Sequence, residues 1–169
     1  MKSKKSDQQT NSASRSNSNT DVAQPKKTKK AGAKTALANI TVFRKDIDLG
    51  GEDKYGHWWT NLSPAESYGW WPKGSVGLKD TLFGTEGELN GVSYFGGSST
   101  KDPHHGDTTG DEYQVYSDGS KTEAQIQNDM RSFATSYSGE WRWTFGWGQN
   151  CHTFQDDMLK KSNLTIKKK

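Results

Sequence analysis

The sequence predicts an α+β fold: a small antiparallel sheet packed against a helix that carries the chain's single cysteine, with a glycine-rich insertion and a disordered basic N-terminal tail. Three observations predict it. Aromatic residues fill 56–71 on either side of a Ser63-Pro64-Ala65 turn, an apolar stripe at helical spacing follows Asn150-Cys151, and charge divides the 169 residues into basic ends and an acidic body.

The charge division sets the domain organisation. Residues 1–36 hold nine Lys or Arg against Asp7 and Asp21, and Lys160, Lys161, Lys167, Lys168 and Lys169 close the chain, whereas residues 37–159 hold nine cations against 18 carboxylates. A segment rich in Ser, Asn, Gln and Lys cannot bury enough apolar surface to offset its chain entropy. The reading is a disordered tail over 1–37, one domain over 38–160 and a basic tail over 161–169. An acidic body argues against a nucleic-acid enzyme, whose basic footprint belongs on the fold itself. Pro25-Lys26-Lys27-Thr28-Lys29-Lys30 reads either as a nuclear-import or polyanion-binding cluster, as a solubilising linker, or as a connection to a delivery apparatus. With no apolar run of signal-peptide or membrane-span type, the expectation is a soluble protein, made in the cytoplasm without a cleavable signal and exported, if at all, by another route. One cysteine excludes an intramolecular disulfide.

Along the domain, Ile40, Val42, Phe43, Ile47 and Leu49 mark a first strand over 40–49, ending at Gly50-Gly51. A hairpin follows, 56–62 returning through 66–71 and stopped by Pro72. Alternation places His57, Trp59 and Asn61 on one face of its first strand, and Trp58, Thr60 and Leu62 on the other. Residues 73–120, with many glycines and short apolar fragments, read as an irregular insertion holding one or two short strands. A helix is predicted over 122–137, with Ile126, Met130, Phe133, Ala134 and Tyr137 on one face and Gly139 as its stop. Trp141, Trp143 and Phe145 alternate as a strand expected to lie under the site, and Asn150 is an N-cap type before the stripe Phe154, Met158, Leu159.

Cys151 therefore falls in a first helical turn, where unpaired N–H groups and the helix dipole favour a thiolate and offer donors to an oxyanion. Of the four histidines, His152 projects about 100° away around the helix axis and is a poor base for its neighbour. His57, on a strand packed against the cysteine helix, would have the fixed geometry that a general base needs. A buried, inert cysteine is the alternative.

The Gly-His-aromatic strand, its return Glu66-Ser67-Tyr68-Gly69-Trp70-Trp71-Pro72, and the distant Asn150-Cys151-His152-Thr153-Phe154 box resemble the circularly permuted NlpC-type papain-like superfamily. That group includes lecithin retinol acyltransferase-like enzymes, PPPDE deubiquitinase-like peptidases and bacterial hydrolases and toxin domains. The resemblance covers roughly residues 38–160, and its two ends carry it. It implies a permuted papain-like fold with Cys151 as nucleophile and His57 as base. Where lecithin retinol acyltransferase-like members carry a second histidine on the return strand, this chain has Glu66, Tyr68 or Trp70. Glu66 is the candidate third group, orienting His57, or else a solvated carboxylate. Gln149 either adds a donor to the oxyanion hole or satisfies the turn, and Asn150 positions the nucleophile.

Two features support rival chemistry. Asp102-Pro103-His104-His105-Gly106-Asp107 and the acidic residues after it suggest a divalent-metal loop, but adjacent histidines point apart, so a solvated acidic loop is expected; the alternative reading makes His104 or His105 a substrate contact or the missing polar group. Seven tryptophans read first as core. Since neighbours on a strand cannot both face inward, one of each pair is expected to be exposed or covered by the insertion or a ligand, which makes Trp59, Trp70 and Trp147 candidate platforms for sugar rings. The expected function is cysteine-dependent cleavage of an amide bond, of bacterial wall peptidase or amidase toxin type, needing no cofactor and no metal. Expected partners are a peptide or glycopeptide substrate and an immunity or delivery protein, on a monomer. The alternatives are a non-catalytic aromatic binding module, or an acyltransferase, thioesterase or isopeptidase acting on a ubiquitin-like protein.

Overall fold

The computed structural model describes residues 33–47, 55–144 and 148–169. The disorder expected of the N-terminal tail, the end of the first strand at Gly50-Gly51 and the platform assigned to Trp147 fall outside the described residues. Seven strands form one antiparallel sheet: β1 (Thr35–Ile47), β2 (Tyr55–Ser63), β3 (Glu66–Pro72), β4 (Thr85–Leu89), β5 (Asp111–Ser117), β6 (Glu140–Trp141) and β7 (Thr165–Lys168), in the order β6-β4-β3-β2-β1-β5-β7. Three helices accompany it, α1 (Leu78–Phe83), α2 (Glu123–Ser136) and α3 (Cys151–Lys161). The α+β class is as expected, with a larger sheet.

The hairpin forms as its sequence dictates, with Trp59 opposite Gly69 and Thr60 opposite Tyr68. Its two faces have different cover. Leu62, Tyr68 and Trp70 join Ile40, Val42 and Val115 against Ile126, Met130 and Ala134 of α2 and Phe154, Met158 and Leu159 of α3. Burying each of the larger of these side chains contributes about 1.5–3 kcal/mol. On the opposite face Phe43 stacks on Trp59 at 5.2 Å, and Trp71 stacks on Phe95 of the insertion at 4.7 Å. Trp71 is thus one of the tryptophans covered by the insertion.

Three elements depart from expectation. The segment 73–120 supplies the two short strands expected of it, β4 and β5, and departs from expectation in the helix α1 and in the interior position of β5 between β1 and β7. Its alternation, Tyr113, Val115 and Ser117 against polar neighbours, is diluted by charge at Asp111 and Glu112. The basic end is not a tail: Ile166 pairs with Val115, and Leu164 is buried. Lysines on an edge strand keep their charges in water and guard an open edge, so composition there resembles a solvated tail. Of the strand expected over 141–145, Phe145 lies outside the described residues; among the described ones only Glu140–Trp141 is strand, and Thr144 has a positive φ of 34°.

Both long helices start on side-chain caps. Thr122 caps α2 with Gln125 answering, one residue inside the predicted start, and Asn150 caps α3 with Thr153 answering. α3 is also fastened to the sheet by a buried polar residue on its apolar face. Gln155 Nε2 donates to the carbonyl of Tyr68 at 2.9 Å, and its Oε1 accepts from the Thr60 hydroxyl. Gln155→Leu should therefore destabilise the fold by about 1–3 kcal/mol in denaturant unfolding, because the burial of Leu is offset by polar groups left unpaired on β2 and β3.

Candidate active site

Cys151 begins α3, and its position is set by the cap. Asn150 Oδ1 accepts from the N–H of His152 at 2.9 Å and of Thr153 at 3.1 Å, while Thr153 Oγ1 accepts from the Asn150 N–H at 2.8 Å. Phe154 N–H donates to the Asn150 carbonyl. Among the described residues these bonds leave the Cys151 N–H as the helix-start donor without an acceptor, beside its own thiol. The half-buried thiol lies 3.4 Å from the Gly56 carbonyl, against the main chain that carries His57.

His57 sits just beyond the last paired residues of β2 and β3, Trp59 and Gly69. It is 1% exposed, and Cys151 is among the groups that raise its proton affinity. Trp71 packs on the imidazole at 4.0 Å and Trp59 stacks beneath it at 5.9 Å. Nε2 is 2.9 Å from Oδ2 of Asp102, which leaves Nδ1 as the nitrogen available to the thiol.

Asp102 is the carboxylate that the sequence reading missed. It is 2% exposed, and each of its oxygens is held: Trp71 Nε1 donates to Oδ2 at 2.7 Å and the His104 N–H to Oδ1 at 2.9 Å. Its own N–H donates to Ser67 Oγ at 2.9 Å. The loop that carries it is pinned to β3 through Asn90, whose Oδ1 accepts from the Gly69 N–H at 3.0 Å and whose amide nitrogen donates to the Ser67 and Ser98 carbonyls. The one local signal was the Asp102-Pro103-His104 turn, in which an aspartate accepts from the N–H two residues on. That signal marks a turn without revealing that it is buried.

The electrostatics follow from these contacts. Burial drives the His57 imidazolium toward neutrality, but the charge and hydrogen bond of Asp102, with smaller help from Cys151, override it and raise the pKa to about 9. Burial likewise disfavours the Asp102 carboxylate, yet His57, Trp71 and the His104 N–H hold its pKa below the usual aspartate value. His104, half-buried at 5.6 Å from the His57 ring, is pushed down by burial and then by the His57 charge.

The other expected site residues take different roles, Asn150 alone placing Cys151 through its cap. Glu66 does not orient His57: both its oxygens are taken by Arg131 at 2.6 Å, and Tyr68 donates to it as well. Gln149 donates to the Ser138 carbonyl at 3.0 Å, satisfying the turn, and Asn150 spends its side chain on the cap. Trp59 and Trp70 are 0% and 2% exposed, so neither can present a ring to a sugar. The 102–112 loop is not uniformly solvated, since Asp102 is buried; Asp107 binds Lys45, and His105 Nε2 meets the Pro64 carbonyl. No group of three His, Cys, Asp or Glu is arranged for a metal among the described residues.

The thiol opens into a cleft of about 210 Å³ lined by Arg44, Gly56, Trp58, Trp143, Asn150, Cys151 and His152. Comparison of the chain with protein-family models, curated proteins and solved structures returned no match.

Two predictions follow from the charge arrangement. A Cβ at Gly69 would stand 2.2 Å from Asp102 Oδ2 and 2.9 Å from His57 Nε2, so Gly69→Ala should part the pair and move the His57 titration, read by NMR, toward lower pH. Because the folded pKa of His57 is raised, its contribution to stability is complete below the ordinary value near 6.5 and is lost as pH rises to about 9. That of Asp102, whose pKa is lowered, is lost as acid passes its folded value. Asp102→Asn should remove the alkaline loss from the pH dependence of unfolding free energy.

Proposed function

We propose that the protein is a papain-like cysteine hydrolase that cleaves an amide bond, with Cys151 as nucleophile, His57 as acid and base, and Asp102 as the residue that orients His57. One observation supports this reading: the thiol at the start of a capped helix lies against the Gly56 carbonyl, one residue before a buried histidine whose Nε2 is held by a buried carboxylate. The order of histidine strand before cysteine helix accords with the resemblance to the permuted NlpC-type group. A wall-type peptide substrate and a toxin role rest on that resemblance.

The steps follow from the geometry. At rest the thiol proton is already carried by His57, as an imidazolium stabilised by Asp102 and paired with the Cys151 thiolate. The thiolate adds to the substrate carbonyl, and the Cys151 N–H donates to the oxyanion. Collapse of the adduct breaks the C–N bond, the imidazolium gives its proton to the leaving amine, and a thioester remains. His57 then takes a proton from water as it attacks the thioester, and the acid product leaves with the thiolate restored. Asp102 touches neither the thiol nor the cleft, so it acts through the ring it holds.

Turnover of peptidoglycan fragments, read by mass spectrometry, tests this. Cys151→Ala and His57→Ala should each lower it by about a thousandfold or more with unchanged far-UV circular dichroism. Asp102→Asn should cost about 10²- to 10⁴-fold and move the alkaline limb of the rate profile to lower pH, because the charge that raises the His57 pKa is gone. Glu66→Gln should leave turnover per folded molecule unchanged and cost about 1 kcal/mol of stability through Arg131. Turnover that survives thiol alkylation but not chelation would overturn the cysteine assignment, and binding of wall material without turnover would favour a binding module.

A further inference from the structure

Arg44 reaches the thiol cleft from β1 and belongs to no step of the reaction above. It lies opposite Trp58 in the β1–β2 register, on the helix-covered face, where Gly56 separates it from Cys151. The guanidinium occupies the space above that glycine: a Cβ at Gly56 would stand 2.6–2.8 Å from its Nε, Cζ and Nη2 atoms. The same glycine's carbonyl is the neighbour of Cys151 Sγ, so Gly56 brings thiol and guanidinium to the two sides of one residue.

The charge of the cleft departs from that of the body. Residues 37–159 carry twice as many carboxylates as cations, yet no carboxylate is among the described residues lining the cleft, which include Arg44 and His152. Among the described residues the ion pair of Arg44 is a single contact from Nη2 to Asp46 Oδ1 at 2.7 Å, with the Asp46 side chain 53% exposed. A second depression of about 290 Å³, lined by Arg44, Lys45, Asp46, Thr109, Gly110 and Asp111, meets the first at Arg44. The guanidinium therefore stands between the reacting thiol and the next stretch of surface.

We infer that Arg44 is a specificity-determining residue that binds a carboxylate on the substrate, next to the bond that Cys151 attacks. A guanidinium suits this task because its planar fork pairs with a carboxylate through two parallel N–H donors. The substrate class is accordingly an amide whose acyl portion, or the residue beside it, carries a free carboxylate. This inference rests on Cys151 being the reactive thiol of the proposed hydrolase, and its test separates the two.

The probes are N-iodoacetylglycine and N-iodoacetylglycinamide, alkylators of nearly equal size that differ by one carboxylate. Intact-mass kinetics on the full chain should show Cys151 reacting faster with the anionic probe, and Arg44→Gln should lower that preference by on the order of fivefold, the size of one part-exposed charge pair. The neutral probe sets the baseline within each protein, so the anionic-to-neutral rate ratio is the readout, and Arg44→Lys should keep part of the preference. An equal preference in the native protein and Arg44→Gln, with rapid alkylation of both, would overturn the role of Arg44 and leave the cysteine reading standing. A Cys151 that reacts with the neutral probe no faster than glutathione would overturn the hydrolase reading, and the Arg44 assignment with it.

Discussion

The hydrogen bond between His57 Nε2 and Asp102 Oδ2 is the constraint around which one face of the sheet is built. Two ionisable groups buried together lose most of their hydration, and such a pair persists only when the remaining lone pairs and protons are satisfied. Here Trp71 Nε1, the His104 N–H and the Ser67 hydroxyl complete the shell around Asp102. That requirement accounts for an insertion that is irregular in sequence yet firmly attached. Asn90 ties it to the main chain of β3, and the Ser67 N–H donates to the Thr100 carbonyl at 2.9 Å. It also accounts for a glycine in the aromatic strand, since Gly69 leaves the space that the carboxylate fills.

Cys151, the proposed nucleophile, is held by other means. α3 is oriented by an apolar stripe, a cap and Gln155, all of which act on the helix-covered face, whereas His57 and Asp102 belong to the face covered by the insertion. Thiol and imidazole meet where β2 runs past its last paired residue with β3. Mutations in α2 or in the core would thus act on the site through the placement of α3, and mutations in the insertion through the charge on His57. No helix among the described residues is long and apolar enough to cross a membrane, and α2 and α3 serve the core.

Features that depend on neighbours in sequence could be read directly. The hairpin, α2, the cap at Asn150 and the stripe Phe154, Met158, Leu159 each follow from a local pattern. Cys151 and His57 were legible for the same reason, each standing at the edge of a well-patterned element. Asp102 was not, because its role is set by contacts 31, 35 and 45 residues away, to Trp71, Ser67 and His57, in a segment without periodicity. Glu66 offered a carboxylate on the right strand, but alternation carries Glu66 with Tyr68 to the helix side, where Arg131 takes it. The strand β7 was hidden by the charges that protect its edge, and Arg44 by a role that exists only where Gly56 meets the thiol.

The separation of the two faces also limits what Asp102 can do. Its carboxylate is walled off by Trp71, the His57 ring and the 102–105 turn, while the cleft that admits a substrate is bounded by Arg44, Trp58, Trp143 and His152. A charge so placed is shielded from solvent, and in the proposed reaction its influence passes through the imidazole as orientation and as a raised proton affinity. An imidazolium held to about pH 9 is a good partner for a thiolate but a reluctant proton donor to the leaving amine. In the proposed reaction, attack consumes the thiolate charge and removes the smaller contribution of Cys151 to the His57 proton affinity, while that of Asp102 remains.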